Sequence, residues 1–119
     1  MSLKVNVNEE MKSVYNVSIK GSIDTVTYKV LEEEVEPLLQ KSLNVLIFNM
    51  EDVTYVSSMG ISVILRTKRI IEEKGGIFIM MSLKPQVKKV FDIIRALPVH
   101  NILSDKSELS KYLSGLEKK

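Results

Sequence analysis

Ser57-Ser58-Met59-Gly60 sets two adjacent hydroxyls, a thioether and a glycine side by side, after Asp52-Val53-Thr54-Tyr55-Val56 and before Ile61-Ser62-Val63-Ile64-Leu65. A serine in such a place has two uses. Its hydroxyl can cap the helix that follows by accepting a hydrogen bond from a free backbone N–H. It can instead accept a phosphoryl group, which adds about −1.5 to −2 charges at neutral pH. At a helix N-terminus the backbone dipole tolerates that charge within the chain, whereas an apposed carboxylate or apolar surface does not. Ser57 and Ser58 both offer such a hydroxyl. Met59 offers other chemistry: an outward thioether suits an apolar contact, and an inward one fills a gap in the core. A second polar bend, Gly21-Ser22-Ile23-Asp24-Thr25, supplies a carboxylate, and Asp24 or Thr25 is placed to cap the next helix.

Other chemistries lack their parts. The chain has no cysteine, which removes thiol catalysis, thiolate metal sites and disulfides. Its one histidine, His100, has no companion ligands, and zinc requires three or four. Neither Gly-x-x-x-x-Gly-Lys nor Gly-x-Ser-x-Gly occurs. Glu32, Glu33, Glu34 and Glu36 crowd one segment and read as a solvated helix face rather than a catalytic pair. A net charge of +2, with three Phe, four Tyr and no Trp, argues against nucleic acid as a partner. No apolar run approaches the roughly 20 residues of a membrane span. Met1-Ser2-Leu3-Lys4 does not open a signal peptide, so the expected location is the cytoplasm. No cofactor is expected, and the chain reads as a binding domain rather than an enzyme.

The elements that must position the two bends follow from periodicity. Leu3, Val5 and Val7 alternate with polar residues, as do Tyr15, Val17 and Ile19, which predicts an antiparallel hairpin at one side of a sheet, turning at Asn8-Glu9-Glu10. Val26, Val30, Leu31, Val35, Leu38 and Leu39 recur at helical spacing, with a kink or restart expected at Pro37. Val45-Leu46-Ile47-Phe48 and Ile77-Phe78-Ile79-Met80-Met81 are unbroken apolar runs, the mark of interior strands. Between them Ile61, Ile64, Leu65 and Ile71 form a helical stripe that Gly75-Gly76 ends, so the segment is a βαβ unit. Pro85 opens a further helix carrying Val87, Val90, Phe91 and Ile94. A loop over 96–101 leads to a short strand at Ile102-Leu103. A last helix follows, capped by Asp105 with Glu108 or by Ser104, and bearing Leu109, Tyr112, Leu113 and Leu116.

At 119 residues the chain suits a single domain spanning 1–119. The expected fold is α/β: a mostly parallel sheet of four or five strands with a mixed edge, and about four helices. The short polar step between the first apolar run and the second long helix lies outside the carboxyl end of a strand, where such sheets place their sites.

The stretch from Asn49 to Leu65 resembles the signature of the STAS domain, the fold of the bacterial anti-sigma factor antagonists. In that family a strand ending in Asn or Asp leads to Asp-Ser-Ser/Ala-Gly-Leu and then a helix. Asn49-Met50-Glu51-Asp52-Val53-Thr54-Tyr55 is similar to the lead-in, Gly60-Ile61 to the Gly-Leu, and Val63-Ile64-Leu65 to the helix start. Gly21, Ile23 and Asp24 match the family's Gly-x-Leu/Ile-Asp, and residues 77–91 resemble the family more weakly. Without gaps, Ser57 stands where the family has Asp, Ser58 on its first small residue, and Met59 where it carries its phosphorylatable serine. The resemblance implies an anti-sigma factor antagonist. Such a domain binds an anti-sigma factor, often itself a serine kinase, through Asp24, Ser57, Ser58, Met59 and Gly60, and phosphorylation of Ser58 or Ser57 releases the partner. Two alternatives stay open: a STAS scaffold or sensory module without a phosphoswitch, and a module binding a nucleotide or small ligand at the same loop.

Overall fold

Alternation at the N-terminus and unbroken apolar runs in the middle resolve into a single mixed sheet. The computed structural model describes residues 3–94 and 102–117. Along them run β1 (Lys4–Met11), β2 (Val14–Ile23), α1 (Tyr28–Leu39), β3 (Val45–Val56), α2 (Ser58–Glu73), β4 (Ile77–Met81), α3 (Pro85–Ile94), β5 (Ile102–Leu103) and α4 (Lys106–Glu117). The strands lie in the order β1-β2-β3-β4-β5. β1 pairs antiparallel with β2, and every later pair is parallel. The expected sheet with one mixed edge is therefore present.

Sequential order decides where the helices go. Crossovers of one hand between strands taken in spatial order place every connecting helix on the same face. The larger core accordingly joins Leu31 and Val35 of α1, Ile64 and Ile71 of α2, and Val87 and Phe91 of α3. The opposite face is covered by α4, whose Leu109 and Leu113 pack on Val45, Ile47, Ile79 and Met81. This is why β3 and β4 lack alternation. Leu46 and Phe48 enter one core while Val45 and Ile47 enter the other. Phe48 and Phe78, neighbours on β3 and β4, meet edge to face with centroids 5.0 Å apart.

Several boundaries depart from expectation. Asn8-Glu9-Glu10 does not turn: β1 continues to Met11, and the chain reverses at Lys12-Ser13, where Ser13 adopts φ 63°. Polar residues suit an exposed edge strand as well as a turn, and sequence alone does not separate the two. Pro37 does not break α1, which runs on to Leu39. Near the C-terminal end the proline costs only one intrahelical donor, and the helix has little length left to disrupt. Val26 and Val30 are exposed rather than part of the α1 stripe, which Leu31, Val35, Leu38 and Leu39 form. On α2 the buried positions are Gly60, Val63, Ile64, Thr67 and Ile71, while Ile61 and Leu65 are half-buried. Thr67 belongs inside because its hydroxyl donates to the Val63 carbonyl at 2.7 Å. The helix ends as expected at Gly75, with φ 83°, where Gly75 N–H donates to Glu72 O and Gly76 N–H to Ile71 O. The loop over 96–101 with His100, and the side chains of Ile94 and Leu116, lie outside the described residues. Asp105 rather than Ser104 caps α4, accepting from Glu108 N–H at 3.0 Å, while Glu108 reaches back to Ser104 N–H.

Candidate functional site

β2 and β3 run parallel and finish together, with Ile23 paired to Val56. Just past that pair, Ser57 N–H donates to Ile23 O at 2.8 Å. The two polar bends, Asp24 after β2 and Ser57 after β3, therefore leave the sheet side by side at the carboxyl ends of adjacent strands. The sequence separates them by more than thirty positions, and parallel pairing joins them.

Each bend is fixed by its own polar residue. Asp24 Oδ1 accepts from the N–H groups of Val26 and Thr27, both at 2.9 Å, and the Thr27 hydroxyl accepts from Asp24 N–H and donates to Ser22 O. Neither Asp24 nor Thr25 caps α1 itself, whose N-cap is Thr27 without a side-chain bond; Asp24 instead closes the turn just ahead of the helix. The backbone N–H groups of Thr27 and Val26, in that order, hold the Asp24 carboxyl below the usual carboxylate range. Asp24 is consequently a fixed negative charge at neutral pH. The expected polar loop before α2 shrinks to Ser57 alone, because β3 extends through Val56. Ser57 keeps extended backbone angles, φ −83° and ψ 174°, and its Oγ accepts from Gly60 N–H at 3.4 Å. It is the N-cap of α2.

The next three residues divide by position in the first helical turn. Ser58 is exposed, and among the described residues its Oγ makes no hydrogen bond. Its carbonyl accepts from Ser62 Oγ at 3.1 Å. Met59 turns outward, 38% exposed, and does not fill the core. Gly60 is buried, and a Cβ there would lie 2.7 Å from Ile23 Cγ2, 2.8 Å from Ile23 O and 2.9 Å from Val56 Cγ1. The helix start is seated directly on the ends of β2 and β3, and only a glycine permits that approach. All five residues expected at the site are brought to one end of the sheet.

The structure adds residues that periodicity missed. Val26 is 80% exposed and Tyr55 55% exposed, with Val30 one turn along from Val26 also exposed. Val26 lies in the turn capped by Asp24, ahead of the helix, so the helical phase does not apply to it. Tyr55 is turned out by an irregularity in the β2–β3 register, where Gly21 pairs with Val53 but Ser22 with Tyr55. An extra residue of this kind re-aims the side chains after it. No sequence signal marks it. Exposed apolar side chains thus accompany both bends: Val26 two residues after Asp24, Tyr55 two residues before Ser57, and Met59 two after it. Among the described residues no three His, Cys, Asp or Glu side chains gather as a metal site. A separate cleft, lined by Leu83, Lys88, Asp92, Ser104 and Glu108, contains none of these site residues.

A fixed carboxylate, an accessible hydroxyl at a helix N-terminus and exposed apolar side chains therefore stand at one end of the sheet. The family model described as STAS domain matches residues 5–108. The anti-sigma-B factor antagonist of Bacillus subtilis (strain 168) is 31% identical over 107 residues, covering 87% of this chain and 96% of that one. A crystal structure of a putative anti-sigma factor antagonist from Thermotoga maritima superposes with a TM-score of 0.82 at 18% identity, over 91% of this chain and 92% of that chain. The anti-sigma factor antagonist SpoIIAA in its unphosphorylated form superposes with a TM-score of 0.79 at 18% identity, over 94% and 97%. At these identities the two structures speak for the fold.

Proposed function

The chain belongs to the STAS domain family, and from that premise we propose that it is an anti-sigma factor antagonist, regulating transcription by binding an anti-sigma factor. The observation that carries the reading is the Ser57–Ile23 backbone bond, which seats the Asp24 and Ser57 bends as one surface. Asp24 supplies a permanent negative charge for a cationic group of the partner. Val26, Tyr55 and Met59 supply apolar contact, and Gly60 and Ser57 hold the helix start in place. An exposed aromatic such as Tyr55, two residues before the Ser57 bend, suits an interface anchor.

Switching is assigned to Ser58. The Ser57 hydroxyl is committed to the cap, whereas Ser58 Oγ is exposed and open to a kinase that supplies the γ-phosphoryl group of ATP. A phosphate there meets the N-terminal end of α2, so the domain stays folded while an apolar partner face is repelled. A second reading is favoured by the exposure of Met59: a binder without a phosphoswitch, held through the thioether and its apolar neighbours.

Calorimetric titration with purified anti-sigma factors of the source organism tests the first step. One of them is expected to bind, and Asp24→Lys is expected to abolish binding with the melting temperature retained. Binding to none of them would sink the antagonist reading. Incubation with an anti-sigma kinase and ATP, followed by intact-mass measurement, tests the switch. One phosphate that disappears in Ser58→Ala supports it, whereas no phosphate with binding retained supports the second reading.

A further inference from the structure

We propose that Met59 is a redox modification site, at which a hydroperoxide converts the thioether to a sulfoxide and thereby weakens partner binding. The consequence for binding rests on the antagonist reading above. The site itself rests on the distribution of methionines.

Met50, Met80 and Met81 are sealed in the core at 0%, 0% and 1% exposure, whereas Met59 and Met11 stand at 38% and 40%. A peroxide in solution therefore reaches Met59 and Met11 and not the three core sulfurs. Met11 lies in the hairpin before β2, and Met59 lies past the other end of the same ten-residue strand. Met11 is thus an internal control, equally accessible and remote from the surface in question.

The step is a two-electron transfer. Met59 Sδ attacks one peroxide oxygen, an S–O bond forms as the O–O bond breaks, and the departing oxygen takes up the proton and leaves as water or an alcohol. Sulfur is oxidised, the peroxide is reduced, and sulfoxide reductases reverse the change. The product replaces a flexible apolar tip with a polar one. Val26 and Tyr55, two residues from the Asp24 and Ser57 bends that the Ser57–Ile23 bond joins, are exposed apolar side chains at the same end of the sheet. A partner surface fitted to the apolar thioether must then bury a polar oxygen for which it holds no matching donor, a penalty comparable to a lost buried hydrogen bond. The oxygen can otherwise fold back toward the N–H groups of Ser58 and Met59, which have no acceptor among the described residues. Either outcome removes Met59 from the apolar contact. The core is untouched, so the domain stays folded while affinity falls.

The test uses the whole chain carrying Met11→Leu, treated with hydrogen peroxide and located by peptide mass mapping. One added oxygen is expected on Met59 and none on Met50, Met80 or Met81. Titration with the anti-sigma factor is expected to show a dissociation constant raised about tenfold, the size of one lost contact of this kind. Sulfoxide reductases acting on both epimers should restore it, and a second variant, Met59→Leu in the same background, should bind equally before and after peroxide. Equal binding by the reduced and oxidised Met11→Leu protein overturns the proposal, as does a loss that Met59→Leu fails to prevent. A reduced protein that binds no anti-sigma factor removes the antagonist reading, and the switch falls with it.

Discussion

Two small residues decide whether the site exists. Gly60 has no room for a Cβ against Ile23 and Val56. Gly60→Ala must push the start of α2 away from the sheet, and overpacking of this kind typically costs about 1–3 kcal/mol. Urea unfolding should show that loss, together with weaker partner binding, because Ser57, Ser58 and Met59 move with the helix. Asp24 gives a pH-dependent counterpart. Its folded pKa lies below 3.8, so the native state holds its proton less tightly than the unfolded chain does. The stabilisation is therefore complete above the unfolded value and drains away as pH falls through the folded one. Asp24→Ala should be less stable than the parent at neutral pH, and thermal melts should show the gap narrowing through the acid range below about pH 4. A gap that widens with acid would contradict the turn-closing role.

At the scale of elements, α2 is defined at both ends by backbone geometry. Ser57 starts it and Gly75 stops it, the latter in a left-handed conformation at φ 83° with open space around the absent Cβ. Gly75→Ala meets no neighbour, so its cost is conformational alone, about 1–2 kcal/mol. Chemical denaturation should find a loss of that size with unchanged partner affinity, since the far end of α2 carries no site residue. Gly76 differs, with a would-be Cβ 2.7 Å from Leu43 O. Its role is close approach to the loop before β3. Lys74 ties the same corner together through its Nζ, which donates to the last carbonyl of α1 at Leu39. β3 is longer than its apolar run. Polar Glu51, Asp52 and Thr54 remain in the strand because β2 continues beside them, as far as the Ile23–Val56 pair.

For the whole molecule, the two faces of the sheet are unequal. The larger core takes buried residues from three helices, while the smaller holds Leu109 and Leu113 of α4 against the strands. Asn16 is 5% exposed, and its Oδ1 has no partner among the described residues. A helix that buries little apolar surface opens at lower free energy than the centre of a sheet. Native-state hydrogen exchange should find α4 amides exchanging through local opening, and the amides of β3 only through global unfolding. Equal protection in both would show that the two faces open as one unit. The proposed partner surface belongs to the better packed part, where β2, β3 and α2 meet. A modification there is expected to change binding without loosening the fold.

Periodicity and local chemistry determined most of the elements. The unbroken runs at 45–48 and 77–81 could bury both faces only in the interior of a sheet. Pro85 and Gly75 marked helix ends through their own backbone limits, and Ser57 and Asp105 were legible as caps because short oxygen side chains satisfy free N–H groups; Asp24 proved to close the turn before α1 rather than to cap the helix. Tertiary structure decided the rest. Val26 and Tyr55 became surface residues because a capped turn and a register irregularity broke the phase that local counting assumes. Met59 turned outward because Gly60, the next residue, is the one pressed onto the sheet. That Asp24 and Ser57 share a surface depends on parallel pairing of strands separated by a helix, and pairing across such a distance is settled by the packing of the whole chain.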